Sequence, residues 1–209
     1  MGAGPVPVDH QGRRPPIPIV PVDEAARVAE LERGATAAEA WLAAVSGTSG
    51  PTRVRVADAG EAEVLSGRLA ARRDTPGMTV GEVALAVDAG REIAARAAAD
   101  GVRLIVAAAP ADRDDGAARA VAAALTRGSE HGPLGVLRRL GDATTAFLCG
   151  VALGAGEHGL GCVCDGLAAL AGAAVAAGIE PDLRARVAVA RATATEPLAA
   201  HLGLPSVPA

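Results

Sequence analysis

Hydrophobic positions after residue 50 follow two recurring patterns, short runs rich in β-branched residues and longer Ala-rich segments with helical spacing. The short runs predict strands over residues 53–60, 102–106, 159–166 and 186–193. The longer segments predict helices over residues 79–100, 118–125, 136–141, 143–156 and 167–178. Because strands that alternate with helices pair in parallel, the sequence predicts an α/β fold of three layers, a parallel sheet with helices on both faces.

The helix over residues 79–100 has the clearest boundaries. Thr79 and Glu82 have the spacing of a capping box, in which each side chain accepts a hydrogen bond from the other residue's backbone N–H. Gly101 is the kind of residue that commonly ends a helix. Helical spacing predicts an inward face formed by Val83, Ala84, Val87 and Ala94.

The first 22 residues are rich in proline, which disfavours helices and interior strands. We expect this Pro-rich segment to precede a single domain over residues 23–209, whose first part, residues 23–44, has helical spacing interrupted at Gly34. Within the Pro-rich segment, Asp9 beside His10 has the composition of an acid–base pair. The alternative is a flexible tail, since adjacent residues rarely face the same ligand.

The loop between the strand at 102–106 and the next helix lies where a parallel sheet binds its ligands, at the carboxyl end of a strand. A phosphate site would place glycines and backbone N–H groups there, because a helix N-terminus attracts anions. This loop carries Asp112, Arg113, Asp114 and Asp115, and three carboxylates repel a phosphate more than one arginine attracts it. The alternative role of these acids is to cap the helix and complement its dipole.

Two further predicted strands end in an acid that is followed closely by a glycine. They end in Asp58 with Gly60 and in Asp165 with Gly166. Such a carboxylate can hold a ligand hydroxyl or a cation, or it can stabilise the turn that follows.

Cys162 and Cys164 lie next to Asp165, and two thiolates with a carboxylate could bind a metal. The spacing lacks the additional His or Cys ligands of a zinc motif. Residues two apart in a strand share a face, so the alternative is that both thiols are small buried side chains, and we assign no metal.

Composition restricts the chemistry and the partners of the chain. All 20 basic residues are arginine, and the absence of lysine excludes Schiff-base catalysis and a P-loop lysine. A net charge of −4 and the scarcity of aromatic residues argue against nucleic-acid binding. No apolar run has the length of a membrane span and the first residues lack the order of a signal peptide, so we expect a cytoplasmic protein with no membrane partner.

Eight segments, taken in register over most of the chain, resemble one enzyme family. They are VPVDHQG (6–12), PVDEAARVAELERGATA (21–37), RVRVADAG (53–60), MTVGEVALAVDAGREIAARAAADGVRLI (78–105), ARAVAAAL (118–125), VLRRLG (136–141), CVCDGLAALAGAA (162–174) and EPLAAHLGL (196–204). The family is nicotinate-nucleotide:dimethylbenzimidazole phosphoribosyltransferase, which makes the α-ribazole phosphate lower ligand of cobalamin. The resemblance implies a Rossmann-like parallel sheet, a homodimer, and an active site at the carboxyl ends of the strands. It also implies transfer of ribose phosphate from nicotinate mononucleotide to a benzimidazole nitrogen, with a nucleotide and a benzimidazole-type base as small-molecule partners and no cofactor.

The chain departs from this family at the loop that holds phosphate and ribose, which in the family reads Gly-Glu-Met-Gly-Ile-Gly-Asn-Thr-Thr. Residues 108–116 take its place without a gap. The degenerate loop that results contains Ala109, Asp112, Arg113, Asp114, Asp115 and Gly116. Carboxylates thus stand where the family has isoleucine, asparagine and threonine, and the family's three glycines are replaced, which weakens the expectation of a bound phosphate.

The remaining candidate residues are defined by their match to the family. The candidate ligand-binding residues are Asp58, Gly60, Asp165 and Gly166. The family's C-terminal general-base glutamate has no match in the 209 residues, which leaves His10 and Glu196 as candidate catalytic residues. Two hypotheses follow: a divergent phosphoribosyltransferase, and a catalytically inactive relative that acts as a ligand-binding, regulatory or partner domain.

Overall fold

The computed structural model describes residues 54–58, by their backbone, and residues 77–109, 115–190, 193 and 196–207. Its strands are β1 (Val54–Asp58), β2 (Leu104–Ala108), β3 (Gly161–Asp165), β4 (Val187–Ala190) and β5 (Ser206–Val207). The strands lie in the sheet in chain order, and every neighbouring pair is parallel. The parallel α/β fold that the sequence predicts is therefore confirmed.

Helices connect these strands. They are α1 (Val80–Ala99), α2 (Gly116–Arg127), α3 (Gly132–Leu140), α4 (Ala143–Glu157), α5 (Leu167–Ile179), the 3-10 helix Pro181–Arg186 and α6 (Pro197–Leu202). The predicted capping box opens α1: the N–H of Glu82 donates to Oγ1 of Thr79 at 3.2 Å, and the N–H of Thr79 donates to Oε2 of Glu82 at 2.6 Å. Gly101 follows α1 with a φ of 74°, which glycine adopts without strain. No helix in the described part of the chain is both long and apolar enough to cross a membrane.

The described helices pack on one face of the sheet. Parallel crossovers are almost always right-handed, so strands added in chain order place their connecting helices on the same side. On that face, Ile105, Cys162 and Val189 join residues of all six α-helices in the main core. On the other face, Leu104 and Val163 belong to a smaller apolar cluster, and all of its described members are strand residues. The second helical layer of the predicted three-layer fold stays a prediction.

Helices α1 and α4 cross with their backbones in direct contact, because glycine occupies the crossing. A Cβ at Gly90 would lie 2.6 Å from the backbone nitrogen of Val151, and a Cβ at Gly154 would lie 2.9 Å from the Cα of Arg91. A chain with few aromatic side chains has small groups to pack, and close backbone approach lets those small groups bury apolar surface without leaving voids.

Helices α4 and α5 are apolar on all sides and lie inside the molecule. Every residue from Ala143 to Ala155 is buried, and so is every residue from Leu167 to Ala177. The two helices meet at Gly172, where a Cβ would lie 2.7 Å from the backbone nitrogen of Cys149. A helix that is hydrophobic all round requires neighbours all round, and α5 is accordingly packed between the sheet and the helices α2, α3 and α4.

Some element boundaries differ from the sequence prediction. Helix α3 begins at Gly132, ahead of the predicted start at residue 136, because Pro133 lies in the first turn, where a missing N–H breaks no helical hydrogen bond. Helix α6 and strand β5 were not predicted, since elements of 6 and 2 residues are too short to show periodicity.

One predicted inward position of α1 is wrong. Ala84 is exposed, whereas the buried stripe consists of Val83, Ala86, Gly90, Ile93, Ala94 and Ala97. These buried residues are the ones that face α4. The spacing of apolar residues along α1 does not reveal where α4 packs. The helical segment predicted over residues 23–44 and the Pro-rich segment lie outside the described residues.

Candidate functional site

Three neighbouring strands end at the same level of the sheet. The register pairs Asp58 with Ala108 and Ala108 with Asp165, so the last residues of β1, β2 and β3 form one row. Neighbouring strands lie about 4.8 Å apart, which separates the Cα atoms of Asp58 and Asp165 by about 10 Å across β2. The structure thus brings together two acids selected from the sequence, at the edge where parallel sheets bind ligands.

The turn after β3 requires glycine at position 166. Gly166 has φ 88° and ψ 163°, a conformation essentially limited to glycine. Among the described residues, no heavy atom lies within 4 Å of a Cβ built there, and the positive φ alone is sufficient to select glycine. The N–H of Gly166 donates to Oγ1 of Thr193 at 2.8 Å. Asp165 and Gly166 are both exposed, which leaves this turn accessible at the carboxyl edge.

Helices α2 and α5, which follow β2 and β3, begin without a side-chain cap. Asp115 is the N-cap residue of α2, but its φ of −83° and ψ of 14° are not the extended conformation of a capping aspartate, and its carboxylate makes no capping hydrogen bond. The expectation that the acids of this loop cap the helix is therefore wrong for Asp115. The positive ends of both helix dipoles point to the carboxyl edge of the sheet.

Part of the candidate site lies outside the described residues. This applies to His10, Gly60, Asp112, Arg113 and Asp114. Ala109 directly follows β2 and is half-buried, and Gly116 is exposed at the start of α2. The two ends of the degenerate loop therefore lie at the same edge of the sheet as Asp165.

Glu196 is the N-cap residue of α6 and is half-buried. Its N–H donates to the carbonyl oxygen of Thr193 at 3.1 Å. Thr193 therefore contacts two candidate residues, Gly166 through its side chain and Glu196 through its backbone. Sequence reasoning missed Thr193. Its only signal was its position three residues before Glu196, because a threonine hydroxyl at that spacing often stabilises a turn.

The three cysteines are buried, free thiols. Strand alternation places Cys162 and Cys164 on the helix-covered face and Asp165 on the other side, and the described residues contain no group of three potential metal ligands. Both thiols are thus buried side chains on a face that they do not share with Asp165. A hydrogen bond with Cys162, together with burial, raises the pKa of Cys164 well above its usual value, and burial raises the pKa of Cys149 to about 12.

Comparison with known proteins gives a consistent result. A family model described as phosphoribosyltransferase matches residues 111–204. The solved nicotinate-nucleotide-dimethylbenzimidazole phosphoribosyltransferase from Thermus thermophilus matches with a TM-score of 0.56 and 30% identity, over 63% of this chain and 49% of that chain. CobT from Thermus thermophilus matches with a TM-score of 0.56 and 28% identity, over 63% of this chain and 50% of that chain. No curated protein matches the chain.

The matched region contains most of the described site. Residues 111–204 include β3, the turn at Asp165 and Gly166, Thr193 and Glu196. The chain spans about half the length of the two solved structures. Sequence identity and fold similarity agree on one family. The family model and both solved structures therefore support the resemblance of this chain to the phosphoribosyltransferase family of the nicotinate-nucleotide-dimethylbenzimidazole type.

Proposed function

We propose that the chain transfers a phosphoribosyl group from nicotinate mononucleotide to a benzimidazole-type base, in the assembly of the nucleotide loop of cobalamin. The observation that carries this proposal is the row of Asp58, Ala108 and Asp165, flanked by the positive ends of α2 and α5. Carboxylates accept hydrogen bonds from ribose hydroxyls and ring N–H groups, and helix N-termini attract a phosphate. A site that binds a nucleotide beside a base needs both the carboxylates and the helix N-termini.

The transfer has a simple balance of bonds. The bond between ribose C1′ and the nicotinate nitrogen breaks, and a bond forms between C1′ and one nitrogen of the base. The other ring nitrogen of the base loses its proton, so the reaction is helped by a proton acceptor. Glu196 is the candidate acceptor, because the segment that carries it is hydrogen-bonded through Thr193 to the turn at Gly166.

The test uses the purified full chain with nicotinate mononucleotide and dimethylbenzimidazole. We expect nicotinate and α-ribazole phosphate to form in equal amounts, above a control without protein. Asp165→Asn removes a carboxylate from the row and should lower kcat/KM by about tenfold, the effect of one lost charged hydrogen bond. Asp182→Asn, on the exposed 3-10 helix, is the matched control and should leave kcat/KM unchanged. Absence of product at any protein concentration would contradict phosphoribosyl transfer.

A second function is favoured by the residues at the two ends of the degenerate loop. Ala108 and Ala109 stand where the resemblance implies glycine and glutamate, and Asp115 stands where it implies threonine. A positioned donor contributes roughly 3 kcal/mol to the transition state, so lost donors reduce the rate more than they reduce ground-state binding. The alternative is therefore a catalytically inactive relative that binds the same ligands. Calorimetric binding of nicotinate mononucleotide or dimethylbenzimidazole without turnover supports this alternative, and measurable turnover contradicts it.

A further inference from the structure

Thr193 is a buried residue that joins two segments of the candidate site. It follows β4 in the chain, and 4% of its surface is exposed. Its Oγ1 accepts a hydrogen bond from the N–H of Gly166 at 2.8 Å, and its carbonyl oxygen accepts one from the N–H of Glu196 at 3.1 Å. A single residue therefore contacts both the turn after β3 and the start of α6.

The side-chain hydrogen bond continues the link between β3 and β4 beyond their sheet pairing. The ladder between these strands ends at Cys164 and Val189. Past that point β3 is followed by the turn at Gly166, and Thr193 comes after β4 in the chain. The hydroxyl of Thr193 therefore restrains the turn at a position where the ladder no longer does.

Loss of this hydroxyl would act on Asp165 through the backbone. Without this acceptor, the N–H of Gly166 turns toward the solvent that already reaches this exposed residue, and the turn shifts with it. Asp165 precedes Gly166 in the same turn, so its carboxylate moves with that shift. A displacement of a contacting group by about 1 Å is enough to weaken ligand binding or catalysis.

We propose that Thr193 is a positioning residue, whose hydroxyl holds the turn at Asp165 and Gly166 in the arrangement that binds ligand. This inference rests on the proposed function, because it concerns the same site. Thr193 touches neither the nucleotide nor the base in this proposal. Its effect is carried by the hydrogen bond to Gly166, and its backbone contact with Glu196 is independent of the side chain.

The test compares three variants by calorimetric titration with nicotinate mononucleotide. Thr193→Val removes the hydroxyl at nearly constant volume and should weaken binding by about tenfold, the affinity equivalent of one hydrogen bond. Thr193→Ser keeps the acceptor and should restore affinity to within about twofold of the original protein. Thr126→Val is the matched control, because the hydroxyl of Thr126 donates to the carbonyl oxygen of Ala122 at 2.8 Å within α2, and it should leave affinity unchanged.

A second readout separates this inference from the proposed function. Amide hydrogen exchange at Gly166 should be at least about tenfold faster in Thr193→Val and unchanged in Thr193→Ser, with or without ligand. If the original protein binds no nucleotide, the proposed function fails, while the exchange rates still report whether Thr193 positions the turn. Unchanged exchange at Gly166 in Thr193→Val would overturn the inference, and so would faster exchange with unaltered affinity. Thr193→Ala is measured in parallel, so that the comparison stands if the valine variant does not fold.

Discussion

The backbone of Gly150 packs against the backbone of Val87. A Cβ built on Gly150 would lie 2.7 Å from the carbonyl carbon of Val87 and 2.8 Å from its Cα, which no real side chain tolerates. Helices α1 and α4 are thereby locked at a distance that only glycine permits at this position. Since α1 connects β1 to β2 and α4 leads into β3, the crossing supports the three strands whose ends form the candidate site.

Gly150→Ala should destabilise the protein strongly. The added methyl group meets backbone, which cannot rotate away, so the two helices must separate and the expected cost is about 3 kcal/mol. Chemical denaturation monitored by circular dichroism measures the free energy of unfolding. Gly81→Ala is the matched control, because Gly81 lies in α1 and no atom of the described part of the chain packs within 4 Å of its Cβ position. There we expect a gain of about 0.5 kcal/mol from helix propensity. Equal effects of the two substitutions would contradict the packing argument.

The two aspartates at helix N-caps should respond differently to removal. Asp142 accepts hydrogen bonds from the N–H of Thr145 at 2.9 Å and from its hydroxyl at 3.0 Å, so Asp142→Ala should cost about 1–2 kcal/mol of unfolding free energy. Asp115 makes no capping hydrogen bond, and Asp115→Ala should change stability by less than about 0.5 kcal/mol. Asp142→Asn keeps an acceptor and should recover most of the loss. A comparable cost at Asp115 would show that its carboxylate caps α2 in solution.

The sequence predicted those parts of the fold that local chemistry decides. The capping box at Thr79 and Glu82 and the β-branched runs that became β2 and β4 depend on neighbours within a few residues. The exposed position of Ala84 depends instead on where α4 crosses α1, and helix α6 and strand β5 are held by tertiary contacts that periodicity does not encode. Local pattern therefore located the elements, and packing decided which faces they bury.

The candidate site divides in the same way. Asp165 and Gly166 were predicted because an acid and a glycine at the end of a strand form a recognisable turn. Thr193 was missed because its role depends on a hydrogen bond to a residue 27 positions away in the chain. The capping role assigned to the loop acids failed at Asp115 because residue type favours a cap, whereas the backbone angles decide whether it forms.

The buried thiols should be unreactive in the folded protein. A thiol reacts with a disulfide reagent as the thiolate, and the raised pKa values of Cys149 and Cys164 keep both groups protonated at pH 8. Ellman's reagent should therefore label neither of them in the native protein, and all three cysteines should react in denaturant. Absorbance measures the extent of labelling, and mass spectrometry of peptides identifies the labelled cysteines. Rapid labelling of Cys149 or Cys164 at pH 8 in the native protein would contradict their burial.

The free energy of unfolding should fall as pH rises from about 9 to about 12. Burial raises the pKa of Cys149 from 9.0 to about 12, so in this window the unfolded chain loses a proton that the folded protein retains, and the unfolded state is favoured. The expected slope is about 1.4 kcal/mol per pH unit for each such thiol, and below pH 9 the contribution of the thiol to stability is constant. The chain contains no lysine or tyrosine, so few other groups titrate there. Cys149→Ala should remove its share of the slope, and an unaltered slope in that variant would contradict the assignment.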